Sequence, residues 1–94
     1  MLTITTIKQQ LMPIFERYGV DKAYLHNKTG AKDIDLRIES ESIRDLFTLS
    51  GFRQDAQEAL GANVEVVDGL PDSPDIRRNR EKNEVLIYES RSAG

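Results

Sequence analysis

The sequence predicts a small α/β domain of the α+β kind, a mixed β-sheet flanked by helices. Three observations carry that expectation. Residues 33–39, DIDLRIE, alternate charged and apolar side chains with the period of two that marks a half-buried strand. Residues 6–18 and 42–60 instead repeat apolar side chains at helical spacing. The second of these runs lies between two strand-like segments and is long enough to carry the chain across a sheet.

Taken in order, the first helix spans residues 6–18, with Ile7, Leu11, Ile14, Phe15 and Tyr18 on one face, Thr6 and Gln9 as a capping box and Gly19 as the stop. Pro13 removes the donor that would reach the Gln9 carbonyl, so a kink or restart is expected there. Residues 20–25 read as a short strand. The seven-residue connector 26–32 is too short for a parallel crossover, so this strand should pair antiparallel with the next. In that second strand Ile34, Leu36 and Ile38 face the core, while Asp33, Asp35, Arg37 and Glu39 face out. Ser42 caps a second helix, with Asp45 three positions on, carrying Ile43, Leu46, Phe47, Leu49, Phe52, Ala56 and Leu60 to a stop at Gly61. Leu46, Phe47 and Leu49 are read as core, with a partner interface as the rival reading, and Gly51 is expected to interrupt the helix. Residues 64–67 form a third strand, parallel to the second. A turn at 69–74, a charged helix over 75–83 and a final strand at 84–88 follow. Residues 89–94 read as a flexible tail, and 1–94 as one domain.

Composition narrows the function classes. A charged fraction of 31% against 38% hydrophobic and 6% aromatic implies a thin aliphatic core, which a larger partner or a homodimer would supplement. Thirteen basic against 16 acidic side chains, a net charge of -3, argue against direct nucleic-acid binding. The absence of cysteine excludes disulfides and thiolate metal sites, and a single histidine leaves oxygen ligands for a hard cation such as magnesium. The opening MLTITTIKQQLM has no basic segment followed by an apolar one, and no apolar run approaches the ~20 residues of a membrane span. A cytoplasmic protein is expected.

The chemistry-bearing candidates are acidic. Asp33 and Asp35, two positions apart on a strand, project from the same face and can address one cation. Glu65, alternating with Val64 and Val66, joins that face if the third strand lies beside the second. A solvated strand face is the rival reading of all three. Three carboxylates on adjacent strands suit two-magnesium phosphoryl or nucleotidyl transfer, in which the metals neutralise the triphosphate and activate the attacking hydroxyl.

The succession LMPIFERYGVDKAYL, DIDLRIE, LFTLSGFRQDAQEALGANVEVVD and VLIYE resembles, in order and over nearly the whole chain, the minimal nucleotidyltransferases, the MNT-type branch of the DNA polymerase beta superfamily. The resemblance implies a nucleotidyltransferase-like fold and transfer of a nucleotidyl group from a magnesium-bound nucleoside triphosphate to a hydroxyl. It implies Asp33 and Asp35 as metal ligands, with Glu65 as third ligand or general base. It also implies an antitoxin role beside a HEPN-type toxin. The family's Gly-Ser phosphate motif is absent from His26-Asn-Lys-Thr-Gly-Ala-Lys32, where Lys28, Thr29 and Gly30 are the candidate nucleotide contacts. That departure supports the alternative, a catalytically impaired relative acting as a binding antitoxin or oligomerising module.

Overall fold

The computed structural model describes residues 3–26, 34–68 and 83–91. Helix α1 is Ile4–Tyr18, β1 Lys22–His26, β2 Ile34–Glu39, α2 Leu46–Leu60, β3 Val64–Asp68 and β4 Glu84–Glu89. The strands form one mixed sheet in the order β3-β2-β1-β4. β1 runs antiparallel to β2, and β2 runs parallel to β3, as the connector lengths predict, and β1 also runs antiparallel to β4. None of the described helices is long and apolar enough to cross a membrane.

α1 starts one turn earlier than the capping-box reading placed it. Thr3, with extended backbone, is the cap, and its Oγ1 accepts the Thr6 N–H at 3.1 Å. The helix is continuous across Pro13, which lies on the exposed side, so the Gln9 carbonyl can turn to water. Gly19 ends it at φ +68°, a left-handed conformation that favours glycine, and a Cβ there would lie 2.8 Å from Ser42 Oγ.

α2 starts later than expected. Ser40 Oγ accepts the N–H groups of Ser42 and Ile43 while donating to the Gly19 carbonyl at 2.9 Å, which commits residues 40–43 to a turn. Asp45 becomes the cap, accepting the Thr48 N–H at 2.7 Å. Ile43 drops into the core from that turn, and Leu46 and Phe47, expected inside, are left 81% and 91% exposed. Only Leu49 of that trio is partly buried against the core. Nor does Gly51 break the helix: it sits where Tyr18 of α1 passes, and a Cβ would meet the Tyr18 hydroxyl at 3.2 Å.

Leu36 and Ile38 of β2, Val64 of β3 and Ile87 of β4 close against Leu11 and Phe15 of α1 and Phe52 and Ala56 of α2. Phe15 stacks near Phe52 with ring centroids 5.9 Å apart and tilts against Tyr88 at 5.0 Å. Tyr88 reaches this position because the register of β4 against β1 shifts between Ala23 and Tyr24. β4 continues to Glu89, and the Ser90 N–H binds the Asp21 carbonyl at 2.8 Å, so residues 89 and 90, expected in the tail, are held by the fold, and 92–94 lie outside the described residues. The expected turn at 69–74 and, apart from Asn83, the expected helix over 75–83 lie outside the described residues.

Candidate carboxylate site

The parallel pairing of β2 with β3 sets Ile34 opposite Val64, Asp35 opposite Glu65 and Leu36 opposite Val66. Facing residues of paired strands share a side of the sheet, and neighbouring strands lie about 4.8 Å apart. Asp35 and Glu65 therefore stand side by side on the face away from the Leu36–Val64 core, Asp35 half-buried and Glu65 exposed. This is the placement expected if the third strand pairs beside the second. Asp33, Lys28, Thr29 and Gly30 fall outside the described residues, so the structure brings together two of the three candidate carboxylates. Among the described residues no group of three or more His, Asp or Glu side chains is gathered as a metal site. The two that meet are hard oxygen donors from adjacent strands, a donor set suited to magnesium once a further carboxylate or substrate oxygens complete it.

Two residues further along β2 the same face carries Arg37, which overturns its reading as an outward, solvated side chain. Arg37 is 3% exposed. Its Nε donates to both carboxylate oxygens of Glu84, at 2.9 and 3.1 Å, and Nη1 donates to Glu39 Oε2 at 2.7 Å. Its guanidinium carbon lies 4.1 Å from the centre of the Tyr24 ring. Arg37 thus spans β1, bridging β2 to β4 across the tyrosine. Burial alone would lower its pKa, but the bonds to Glu84 and Glu39 outweigh that and push it above the ordinary value. A permanent positive charge is held beside the carboxylate pair.

Tyr24 and Glu84 were not singled out from the sequence. The pairing that joins them depends on β4 docking next to β1, some sixty positions away in the chain, and the only local signal is an Arg on the polar side of an alternating strand. His26 ends β1 opposite Glu84, and its Nδ1 is buried without a hydrogen-bond partner among the described residues.

No family model and no characterised protein matches the sequence. Solved structures do. The chain is similar to the MNT antitoxin in a complex with a tri-AMPylated HEPN toxin from Shewanella oneidensis, with TM-score 0.71 and 14% identity over 96% of this chain and 76% of that one. It is also similar to an MntA–HepT toxin–antitoxin structure, with TM-score 0.69 and 15% identity over 94% and 74% of the two chains. A toxin–antitoxin structure with AMP-PNP gives TM-score 0.68 and 14% identity over 90% and 75%. At such identities the likeness is one of fold, and the fold is the nucleotidyltransferase-like α+β fold of these neighbours.

Proposed function

We propose that this chain is the antitoxin of a HEPN/MNT pair and that it transfers a nucleotidyl group from a magnesium-bound nucleoside triphosphate to a hydroxyl of its toxin. The observation that carries this reading is the register of Asp35 against Glu65 on adjacent parallel strands, within a fold shared with MNT antitoxins. The tri-AMPylated toxin of one neighbour and the AMP-PNP of another support nucleotide chemistry on this fold.

Asp35 and Glu65, joined by Asp33, would hold the metal. Magnesium, when bound, neutralises the triphosphate and lowers the pKa of the attacking hydroxyl. Asp33 and Asp35 would position the reacting phosphate through the cation they hold, and Glu65, the exposed member, receives the proton of the incoming hydroxyl. Lys28, Thr29 and Gly30 serve the remaining phosphates by charge, hydroxyl and backbone N–H. The phosphorus–oxygen bond to pyrophosphate breaks as the bond to the toxin hydroxyl forms.

The test is co-expression with a candidate HEPN toxin from the same genome, followed by intact-mass measurement of that protein with ATP, GTP, CTP or UTP and magnesium. A nucleotidyl mass addition that disappears in Asp33→Asn, Asp35→Asn and Glu65→Gln, with loss of neutralisation, is expected. One observation favours a second reading, a binding antitoxin without catalysis: the connector at 26–32 lacks the Gly-Ser pair that grips phosphate in the family. Neutralisation that survives Asp35→Asn with no change in toxin mass would establish that reading and reject transfer.

A further inference from the structure

The side of the sheet that carries Asp35 and Glu65 continues beyond them in one line. Tyr24 pairs with Arg37 and Leu25 with Leu36, and that register carried one residue further sets His26 of β1 next to Asp35 of β2. On its other flank His26 pairs with Glu84 of β4. Paired residues share a side of a sheet, as the Arg37 guanidinium over the Tyr24 ring shows one step along the same two strands. Glu65, Asp35, His26 and Glu84 therefore form a row across all four strands, which lie about 4.8 Å apart. Glu84 is engaged by Arg37, whose Nε donates to both of its oxygens. His26 is the member of the row with no task yet.

His26 is half-buried, and neither of its ring nitrogens has a hydrogen-bond partner among the described residues. Only Nδ1 is shut off from solvent, so Nε2 opens onto the carboxylate face. A neutral imidazole carries one N–H and one lone pair. A buried N–H without an acceptor is rare in folded proteins, whereas an unused lone pair is better tolerated. The proton therefore belongs on Nε2, and the ring presents a donor beside Asp35. The same asymmetry argues against metal ligation. A histidine bound to a metal almost always donates the N–H of its other nitrogen to a carboxylate, a carbonyl or water, and Nδ1 has no such acceptor among the described residues. Nor does His26 complete a three-ligand cluster with its described neighbours. A donor next to a carboxylate that holds a cation suits an anionic oxygen drawn in by that cation.

We propose that His26 is a substrate-binding residue of the carboxylate site: its Nε2–H donates to a non-bridging oxygen of the nucleotide phosphate that the cation holds against Asp35, and it takes no share in holding the cation. The proposal rests on the nucleotidyl-transfer reading and adds a contact from the end of β1 to it.

Isothermal calorimetry on the full chain, with the magnesium complexes of ATP, GTP, CTP and UTP and no toxin present, measures this contact without turnover. His26→Leu should weaken the tightest of the four about tenfold or more, as expected for one hydrogen bond to a charged oxygen. His26→Gln, whose longer amide carries an N–H near the place of Nε2, should stay within about threefold of the parent chain. Because Nδ1 already lacks a partner, His26→Leu should keep or raise the urea midpoint, which separates the loss from unfolding. Manganese binding without nucleotide, read from its paramagnetic resonance signal, should match the parent in His26→Leu and fall in Asp35→Asn. Three results overturn the proposal while leaving transfer by the carboxylates standing: a folded His26→Leu chain that binds nucleotide like the parent, a His26→Gln chain no better than His26→Leu, or a manganese affinity that falls in His26→Leu. A parent chain that binds none of the four triphosphates overturns the transfer reading itself, and this contact with it.

Discussion

Replacing Arg37 by methionine should cost this fold about 5 kcal/mol, a large share of the roughly 5–15 kcal/mol that holds a domain together. The side chains of Arg37 and Glu84 are both 3% exposed, so the substitution takes the guanidinium away from a carboxylate that water does not reach. Breaking one side of a buried ion pair typically costs about 3–5 kcal/mol. Loss of the cation–π contact with Tyr24 adds about 1 kcal/mol. Glu39 is 37% exposed and can be rehydrated, so its bond contributes little. Methionine retains most of the aliphatic stem, which keeps a cavity out of the balance. In urea unfolding followed by far-UV circular dichroism, about 5 kcal/mol at an m-value near 2 kcal/mol/M shifts the midpoint by about 2.5 M. The second substitution is the sharper half: Glu84→Leu in the Arg37→Met background should recover most of the loss, since a buried ion pair replaced by apolar groups is often near neutral. A single variant whose midpoint moves by less than about 0.5 M, or a double variant no more stable than the single, would refute the reasoning.

Gly51→Ala should leave stability nearly unchanged, because about 1 kcal/mol of helix propensity is offset by displacement of the Tyr18 hydroxyl from Asp55, a bond of 2.7 Å. In a Tyr18→Phe background the same change should stabilise by about 1 kcal/mol, and thermal melts of the four proteins check the difference. Tyr18 itself is raised above its ordinary pKa by the hydrogen bond to Asp55, with burial adding to the effect. The stability it contributes is therefore complete below about pH 10 and lost as pH rises through the higher folded value, and Tyr18→Phe should flatten that alkaline limb. Asp45 is held below the usual carboxylate range by the Thr48 N–H and hydroxyl. Its contribution is present above about pH 4 and fades as pH falls through the lower folded value, so Asp45→Asn, which caps without titrating, should flatten stability on the acid side. Parallel acid profiles for the two proteins would contradict that assignment.

The alternating pattern of β2 was enough to send Leu36 and Ile38 to the core and Asp35 to the other face, because a period of two is a property of the backbone itself. The helical length between β2 and β3 was enough to make them parallel and so to bring Glu65 beside Asp35. Helix starts were less secure. Thr3 and Thr6 compete for one cap, as do Ser42 and Asp45, and the choice depends on where the preceding turn runs. The bond from Ser40 Oγ to the Gly19 carbonyl decides the second case, and it joins residues 21 positions apart. Once Ile43 takes a core position from that turn, Leu46 and Phe47 have none left to fill. Arg37 shows the same limit. Its own strand sends it outward, and only Glu84, 47 residues later, makes a buried guanidinium tolerable.

Because β4 pairs with β1 across most of the chain, the register from His26–Glu84 to Lys22–Glu89 closes a very long loop. Such pairings are slow to form, since chain entropy must be given up before any contact rewards it. Until β4 arrives, Arg37 has only the half-exposed Glu39 of its own strand, and drying that face would leave its charge poorly compensated. Sheet completion and charge neutralisation are thereby tied to one kinetic event. An intermediate holding β1, β2 and β3 would keep this face wet, and the carboxylate pair would take its final surroundings only at the last step of folding.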